Sequence, residues 1–391
     1  MLRFLDSIDS FAGEQVVIRC DLNVPIDEGS IQDAGRIDAA VRTIDEVISK
    51  NGRPVICSHL GRPEGKNEKD SLKPVFEYLQ NKYPKIEFKS VGESSGQESI
   101  LLLENLRFDA AETSKSENER ETYAKKVLGH STHVVIDGFG VVHRKQASVY
   151  ELAKLAQSVA GRTIEQELTV LKTLTENPKR PYALVLGGSK VSDKLGVIDA
   201  LLPKVDKLLI GGGMMFTFLK AIGHEVGNSL LEQDQLETAR EYISRAKQLG
   251  VELILPVDVV VASGFAADAE YANVAVESFN SSPFGESGIG LDIGTESAKI
   301  FSKAIEDSQT VFWNGPMGVF EFDAFAHGTK TVATALTKMD GFGVVGGGDS
   351  AAAVRHFGFE DNQFGHISTG GGASLEYLEG KSLPGLEALN D

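Results

Sequence analysis

The sequence predicts an α/β fold of two doubly wound domains, each a mainly parallel sheet flanked by helices, in a chain of 391 residues. Three observations carry that expectation. Short β-branched runs alternate with helical patterns along the chain, which implies parallel strands joined by crossovers. In the first half, strand-like runs end in clusters that contain Arg or His. In the second half, such runs end in bare glycine turns. The expected division is residues 1–160 and 177–376, joined by a long interdomain helix over 161–176, with a cleft between the domains.

Composition narrows the class of function. The net charge is −17, which argues against nucleic acid as a partner and favours solubility. No run of about 18 apolar residues exists, and the start MLRFLDSIDSF lacks a signal peptide's pattern, so a cytoplasmic protein with no membrane partner is expected. Cys20 and Cys57 each lie in an apolar run and read as buried thiols.

Taken in order, Gln15 to Cys20 is a β-rich run followed by Asp21 and Asn23, a polar pair at i and i+2 that points to one side. An Asx turn ahead of Pro25 is the plainer reading. Arg36 opens a helix whose apolar positions Ile37, Ala40, Val41, Ile44, Val47 and Ile48 keep the helical period. An arginine in a first turn opposes the helix dipole, unless it shares an anion with the helix end. A strand over Pro54 to Cys57 leads to His59 and Arg62. The runs Ile100 to Leu103 and His133 to Ile136 lead to Arg107 and to His143-Arg144. Each cluster alone could be a surface turn. Helical patterns at Arg36 to Lys50, Leu72 to Gln80 and Glu117 to Leu128 separate the runs, so the clusters gather on the carboxyl edge of one sheet, where open α/β sheets bind ligands. Arg36, His59, Arg62, Arg107 and Arg144 then form a basic pocket suited to a small phosphorylated acid. Ser158 to Glu176 reads as one helix, with Ile164, Leu168, Leu171 and Leu174 on one face.

The second half repeats strand then glycine at 184–188, 208–213, 311–316, 343–348 and 367–372. Such turns leave a smooth surface for a flat base and a polyphosphate. In GVVGGGDSAAAV (343–354), Asp349 or Ser350 can cap the following helix, and its free N–H groups face Gly346, Gly347 and Gly348. A carboxylate beside a phosphate makes sense if Mg²⁺ lies between them, so Asp349 is the expected metal ligand. Lys190 and Lys194, four apart on one face of a starting helix, reach for transferring phosphate oxygens. Leu291 and Val319 are expected as walls for the base, and Glu321 as acceptor for ribose hydroxyls. A dinucleotide fold is set aside because no acidic residue ends the strand before Ser368. P-loop NTPases are set aside because no GxxxxGK[ST] occurs.

These residues resemble phosphoglycerate kinase along nearly the whole chain. The matching runs are RCDLNVP (19–25), GRI (35–37), SHLGRP (58–63), LLLENLRF (101–108), GGSKVSDK (187–194), IGGGMMF (210–216), WNGPMGVFE (313–321), GGGDSAA (346–352) and STGGGASLE (368–376). Gln146 and the GGSK form resemble the archaeal branch. The resemblance implies reversible phosphoryl transfer from 1,3-bisphosphoglycerate to ADP, giving 3-phosphoglycerate and ATP with Mg²⁺, in a monomeric glycolytic enzyme that closes about a hinge. It implies phosphoglycerate on Asp21, Asn23, Arg36, His59, Arg62, Arg107 and Arg144. It implies nucleotide on Lys190, Lys194, Gly211, Gly212, Gly213, Leu291, Asn314, Pro316, Val319, Glu321, Gly346, Gly347, Gly348, Asp349 and Ser350. Arg36, Lys190, Lys194 and Gly348 would serve the transfer itself, and residues from about 377 to 391 would return to the first domain. Two departures stand out. The stretch 91–98 is too short for a helix that usually lies there, and Gly138, Val141 and Val142 replace alanines or threonine. A non-catalytic protein on the same fold is the alternative, and it predicts missing charges at the site.

Overall fold

In the computed structural model, residues 2–93 and 100–390 are described. The chain divides into two compact units. One comprises Met1–Thr169, Gly372–Tyr377 and Lys381–Asp391, the other Val170–Gly371 and Leu378–Gly380.

The first unit contains β1 (Gln15–Arg19), the short antiparallel pair β2 (Ile26–Asp27) and β3 (Ser30–Ile31), then β4 (Arg53–Cys57), β5 (Glu87–Lys89), β6 (Leu101–Leu103), β7 (His133–Ile136) and β8 (Gln157–Ala160). Its main sheet runs β5-β6-β4-β1-β7-β8, every pairing parallel. Parallel strands buried on both faces need apolar side chains throughout, which is how Val16, Val17 and Ile18 of β1 are placed. The helix Gly35–Ser49 turns Ile37, Ala40, Ile44 and Val47 inward. Ser116 caps the helix Glu117–Leu128, its side chain accepting the Glu119 N–H at 3.4 Å. Residues 94–98 of the short stretch noted above lie outside the described residues.

The single helix expected from Ser158 is not what forms. Gln157–Ala160 pairs with β7 as the edge strand β8, and the helix is Arg162–Thr175. Gly161 separates them, because a Cβ there would lie 2.2 Å from the Asp137 carboxylate. That carboxylate accepts the Thr163 N–H at 2.8 Å and the Thr163 hydroxyl at 3.1 Å, capping the helix. Burial pushes the Asp137 carboxyl up to about 7, against the pull of these donors. Arg162 adds ion pairs to Asp6, Glu46 and Glu165.

The second unit contains β9 (Tyr182–Leu186), β10 (Lys207–Ile210), β11 (Glu252–Ile254), β12 (Asp258–Ala262), β13 (Tyr271–Ala275), β14 (Ile289–Ile293), β15 (Thr310–Asn314), β16 (Phe342–Gly346) and β17 (His366–Ile367). Six of these form a parallel sheet in the order β11-β10-β9-β15-β16-β17. The other three form an antiparallel sheet, β13-β12-β14. All residues of β9 and β15 are buried, including Trp313, whose indole N–H donates to the Gly315 carbonyl at 2.7 Å. A buried indole needs such a partner, and here it fixes the turn that follows the strand.

Candidate active site

β1, β4, β6 and β7 are parallel and hydrogen-bonded neighbours, so the loops after them leave from one edge of the first sheet. Those loops carry Asp21 and Asn23, His59 and Arg62, Arg107, and Arg144. The Asx turn is present too: the Asn23 N–H donates to the Asp21 carboxylate at 3.2 Å. Arg36, in the first turn of Gly35–Ser49, pairs with Asp21 at 3.2 Å and donates to the Asn23 carbonyl at 3.0 Å. Gly61 joins this group to the next. Its N–H donates to the Asn23 side chain at 2.9 Å, and its carbonyl accepts from Arg107 at 2.6 Å. Its φ of +62° is left-handed, a conformation that costs other residues about 1–2 kcal/mol. Arg62, Arg107 and Arg144 line one cleft of about 480 Å³ together with Lys145 and Gln146.

The electrostatics of this edge favour an anion. Burial, with Arg19 and Arg144 nearby, brings Arg107 down to about 10, and its buried Nε has no partner. The histidines are less cationic than the sequence suggests. Burial holds His59 well below the ordinary range, with Arg19, Arg107, Arg36 and Arg144 adding repulsion. His143 is lowered mainly by burial, and its Nε2 accepts the Nε–H of Arg144 at 3.0 Å.

Several supporting residues escape the sequence reading. Arg19 is fully buried, with Ser148 at 2.7 Å and His59 at 3.3 Å. A charge at the end of an otherwise apolar strand was the available signal. Asn105 is buried and donates to the carbonyls of Leu60 and Asp70 at 2.7 and 2.8 Å. It also accepts the N–H groups of Leu60 and Arg107, so it joins the two arginine-bearing loops. No sequence pattern gives these partners.

In the second unit, the glycine turns follow β9, β10, β15, β16 and β17 at the carboxyl edge of the sheet. Many of them serve packing between turns and leave less bare surface than expected. A Cβ on Gly212 would lie 2.5 Å from the backbone of Gly188, and the Gly188 N–H donates to the Pro316 carbonyl at 2.9 Å. In the 346–348 turn, a Cβ on Gly346 would strike the Phe312 ring, and one on Gly347 the Asn314 side chain. Gly348 alone of the three faces open space.

The helix Gly348–His356 has Gly347 as its N-cap, so neither Asp349 nor Ser350 caps it. The φ of +88° at Gly347 lets the chain enter the helix directly from the turn. Asp349 is exposed in the first turn, and the buried Ser350 hydroxyl accepts the Gly315 N–H at 2.7 Å. Lys190 and Lys194 do not share a helix face. The helix is Leu195–Leu201, with Lys194 as its N-cap. The Glu232 carboxylate takes the N–H groups of Val191 and Ser192, holding that segment as a turn. Lys190 is exposed, whereas Lys194 is half-buried and donates to the Asn314 side chain. Burial lowers Lys194, against the attraction of Asp193 and Asp349. Leu291 belongs to an apolar cluster with Val260, Ala262 and Phe325, against which Val319 packs. Glu321 is exposed two residues on.

Among the described residues, no three His, Cys, Asp or Glu side chains gather to hold a metal ion. One carboxylate with nucleotide phosphates is what Mg²⁺ commonly takes, and exposed Asp349 fits that role. Of the positions set apart in the sequence, Gly138 has a packing reason. Gly138 lies where a Cβ would come 3.1 Å from the Asp21 backbone N, and Val142 accepts the Gly385 N–H at 2.8 Å.

Comparison with known proteins agrees over almost the entire length. The family model for phosphoglycerate kinase matches residues 5–381. Phosphoglycerate kinase of Leifsonia xyli subsp. xyli is 59% identical, and that of Clavibacter michiganensis subsp. michiganensis 56%, each alignment covering 99% of both chains. The structure of phosphoglycerate kinase from Coxiella burnetii superposes with a TM-score of 0.87 at 36% identity, covering 100% of this chain and 99% of that one. The crystal structure of the Pyrococcus horikoshii OT3 enzyme gives 0.84 at 29%, covering 100% and 98%. The chain belongs to the phosphoglycerate kinase family.

Proposed function

We propose that this phosphoglycerate kinase binds its phosphorylated acid on Asp21, Asn23, Arg36, His59, Arg62, Arg107 and Arg144. The observation that carries the reading is the delivery of these residues to one sheet edge, with the Arg107 Nε buried and unpartnered. An anion there relieves the crowding of arginines. Residues 1–160 with about 377–391 are assigned to this substrate, 161–176 to the connecting helix, and 177–376 to Mg-nucleotide. Leu291 and Val319 would flank the base, with Glu321 toward the ribose. Lys190, Lys194, Gly211 to Gly213, Asn314, Pro316, Gly346 to Gly348 and Ser350 would surround the phosphates. Asp349 would hold Mg²⁺, which when bound neutralises phosphate charge.

The reaction is reversible transfer from 1,3-bisphosphoglycerate to ADP. Phosphoryl transfer passes through a loose transition state, so positioning and charge neutralisation suffice without a protein nucleophile. Arg36, Lys190, Lys194 and the Gly348 N–H are assigned to the transferring oxygens. Lys194 is already ordered by Asn314, which reduces the freedom it must lose. In-line transfer also requires that water be excluded, and hinge closure is proposed on that chemical ground alone. A cytoplasmic monomer in glycolysis, with no nucleic acid partner, fits the net charge of −17. No described helix is long and apolar enough to cross a membrane.

The non-catalytic alternative predicts missing charges, yet each charged position named above is filled. A coupled assay for ATP formation from ADP and 1,3-bisphosphoglycerate tests the reading. Absence of turnover in folded protein with Mg²⁺ present would reject it.

A further inference from the structure

Beneath the residues assigned to phosphoglycerate lies a string of buried polar side chains with no assigned role. Glu112, Ser148 and Arg19 are each fully buried, and His59 is 4% exposed. The Ser148 hydroxyl donates its single proton to Glu112 at 2.5 Å, and its N–H donates to the other carboxylate oxygen at 3.0 Å. With that proton committed, the hydroxyl oxygen accepts the Nε–H of Arg19 at 2.7 Å. Arg19 also donates to the Cys20 carbonyl, which fixes the plane of its guanidinium. The remaining end of the fork lies 3.3 Å from His59 Nδ1.

A guanidinium has donors and no acceptor. The contact with His59 is a hydrogen bond only if Nδ1 carries a lone pair, which leaves the ring proton on Nε2. We propose that Glu112, Ser148 and Arg19 are positioning residues that fix His59 as its Nε2–H tautomer, so that it meets the phosphorylated acid as a neutral hydrogen-bond donor. The proposal rests on the reading of this edge as the phosphoglycerate site. The charges around the ring agree with it. Arg36, Arg107 and Arg144 surround His59 in addition to Arg19, and all oppose a second ring proton. Glu112 is linked to the ring through Ser148 and Arg19. A neutral donor also keeps its hydrogen bond across the pH range where an ordinary histidine changes charge.

Spectra of ring-¹⁵N histidine in the full-length, ligand-free enzyme read the tautomer, with the His59 lines identified by their loss in His59→Gln. The expected result is a protonated Nε2 and a bare Nδ1, unchanged from about pH 5.5 to about pH 8. A protonated Nδ1, or lines that titrate near 6.5 as a free imidazole does, would overturn the proposal. Ser148→Ala should mix the tautomers and raise the KM for 3-phosphoglycerate about threefold to tenfold, with the KM for MgATP unchanged. Glu112→Gln should move both readouts in the same direction. Unaltered His59 lines and KM in a folded Ser148→Ala enzyme would show that the string positions nothing. Should that variant not fold, the wild-type spectrum decides. Adding 3-phosphoglycerate separates this proposal from the site reading beneath it. Lines that shift support both, while lines that stay put overturn the site reading and the donor role, whichever tautomer is found.

Discussion

Arg36 begins with a carboxylate partner. Asp21 at 3.2 Å and the Asn23 carbonyl at 3.0 Å hold its guanidinium before any substrate arrives. Its assigned work is to neutralise charge that develops during transfer, so Arg36→Ala should lower kcat by about 10³ to 10⁵. Affinity for Mg-ADP, read by calorimetry, should stay within a factor of about two, since uniform binding and transition-state binding separate in this way. A loss in kcat below about tenfold would remove Arg36 from the chemistry. Gly61 offers a second test. Its peptide links Asn23 to Arg107, and a Cβ would lie 2.5 Å from an Asp70 carboxylate oxygen. Gly61→Ala should cost about 1–2 kcal/mol in urea unfolding and raise the KM for 3-phosphoglycerate, leaving that for MgATP alone. Equal changes in both constants would count against a role confined to one site. The basic residues were legible in the sequence because charge after a strand end has few structural uses. Their partners were not, since Asn105 and Arg107 meet Leu60 and Gly61 only through the sheet.

At the scale of elements, the helix Arg162–Thr175 depends on a cap from another strand's end. Asp137 accepts from Thr163 while buried, and burial raises its carboxyl to about 7 from the ordinary 3.8. The sign follows from linkage. A group that holds its proton more tightly when folded makes the folded state lose stability as pH rises, here between about 4 and about 7. Asp137→Asn keeps an oxygen for the Thr163 N–H and cannot titrate. Wild-type stability relative to this variant should therefore fall from pH 4 to pH 7 and level off above, as read by thermal unfolding across pH. A difference independent of pH would mean that Asp137 is ionised throughout. Sequence periodicity located the helix but overran its start, because 157–160 is apolar enough to continue the pattern. What turns that segment into β8 is pairing with β7, a tertiary choice. The turn at 190–194 went the same way: a helical spacing of lysines is overridden by Glu232, which claims the amides a helix would need.

For the whole molecule, the proposed assignment predicts two separate ligand footprints, one in each unit. Hydrogen exchange with each ligand alone tests this. At about 100 times its Kd a ligand stabilises its site by about 2.7 kcal/mol, enough to slow exchange about a hundredfold where opening requires release. 3-Phosphoglycerate should protect amides around 21–24, 59–63 and 105–108. MgATP should protect those around 188–191, 211–214 and 347–350. Protection of the first set by nucleotide alone, or of the second by 3-phosphoglycerate alone, would contradict the division of labour.

The alternation of strand and helix, the chemistry offered at the strand ends and the family can all be read from the order of residues. All of these are written in local periodicity and in residue types whose presence needs a reason. Tertiary structure decided what those residues face: the edge strands β5 and β8, the glycines committed to packing, and the open position of Gly348. It also decided the buried partners Arg19, Ser148 and Glu112. The physical reason is that backbone propensity acts over a few residues. Desolvation and hydrogen-bond satisfaction are settled between segments more than a hundred positions apart, as Arg19 and Ser148 are.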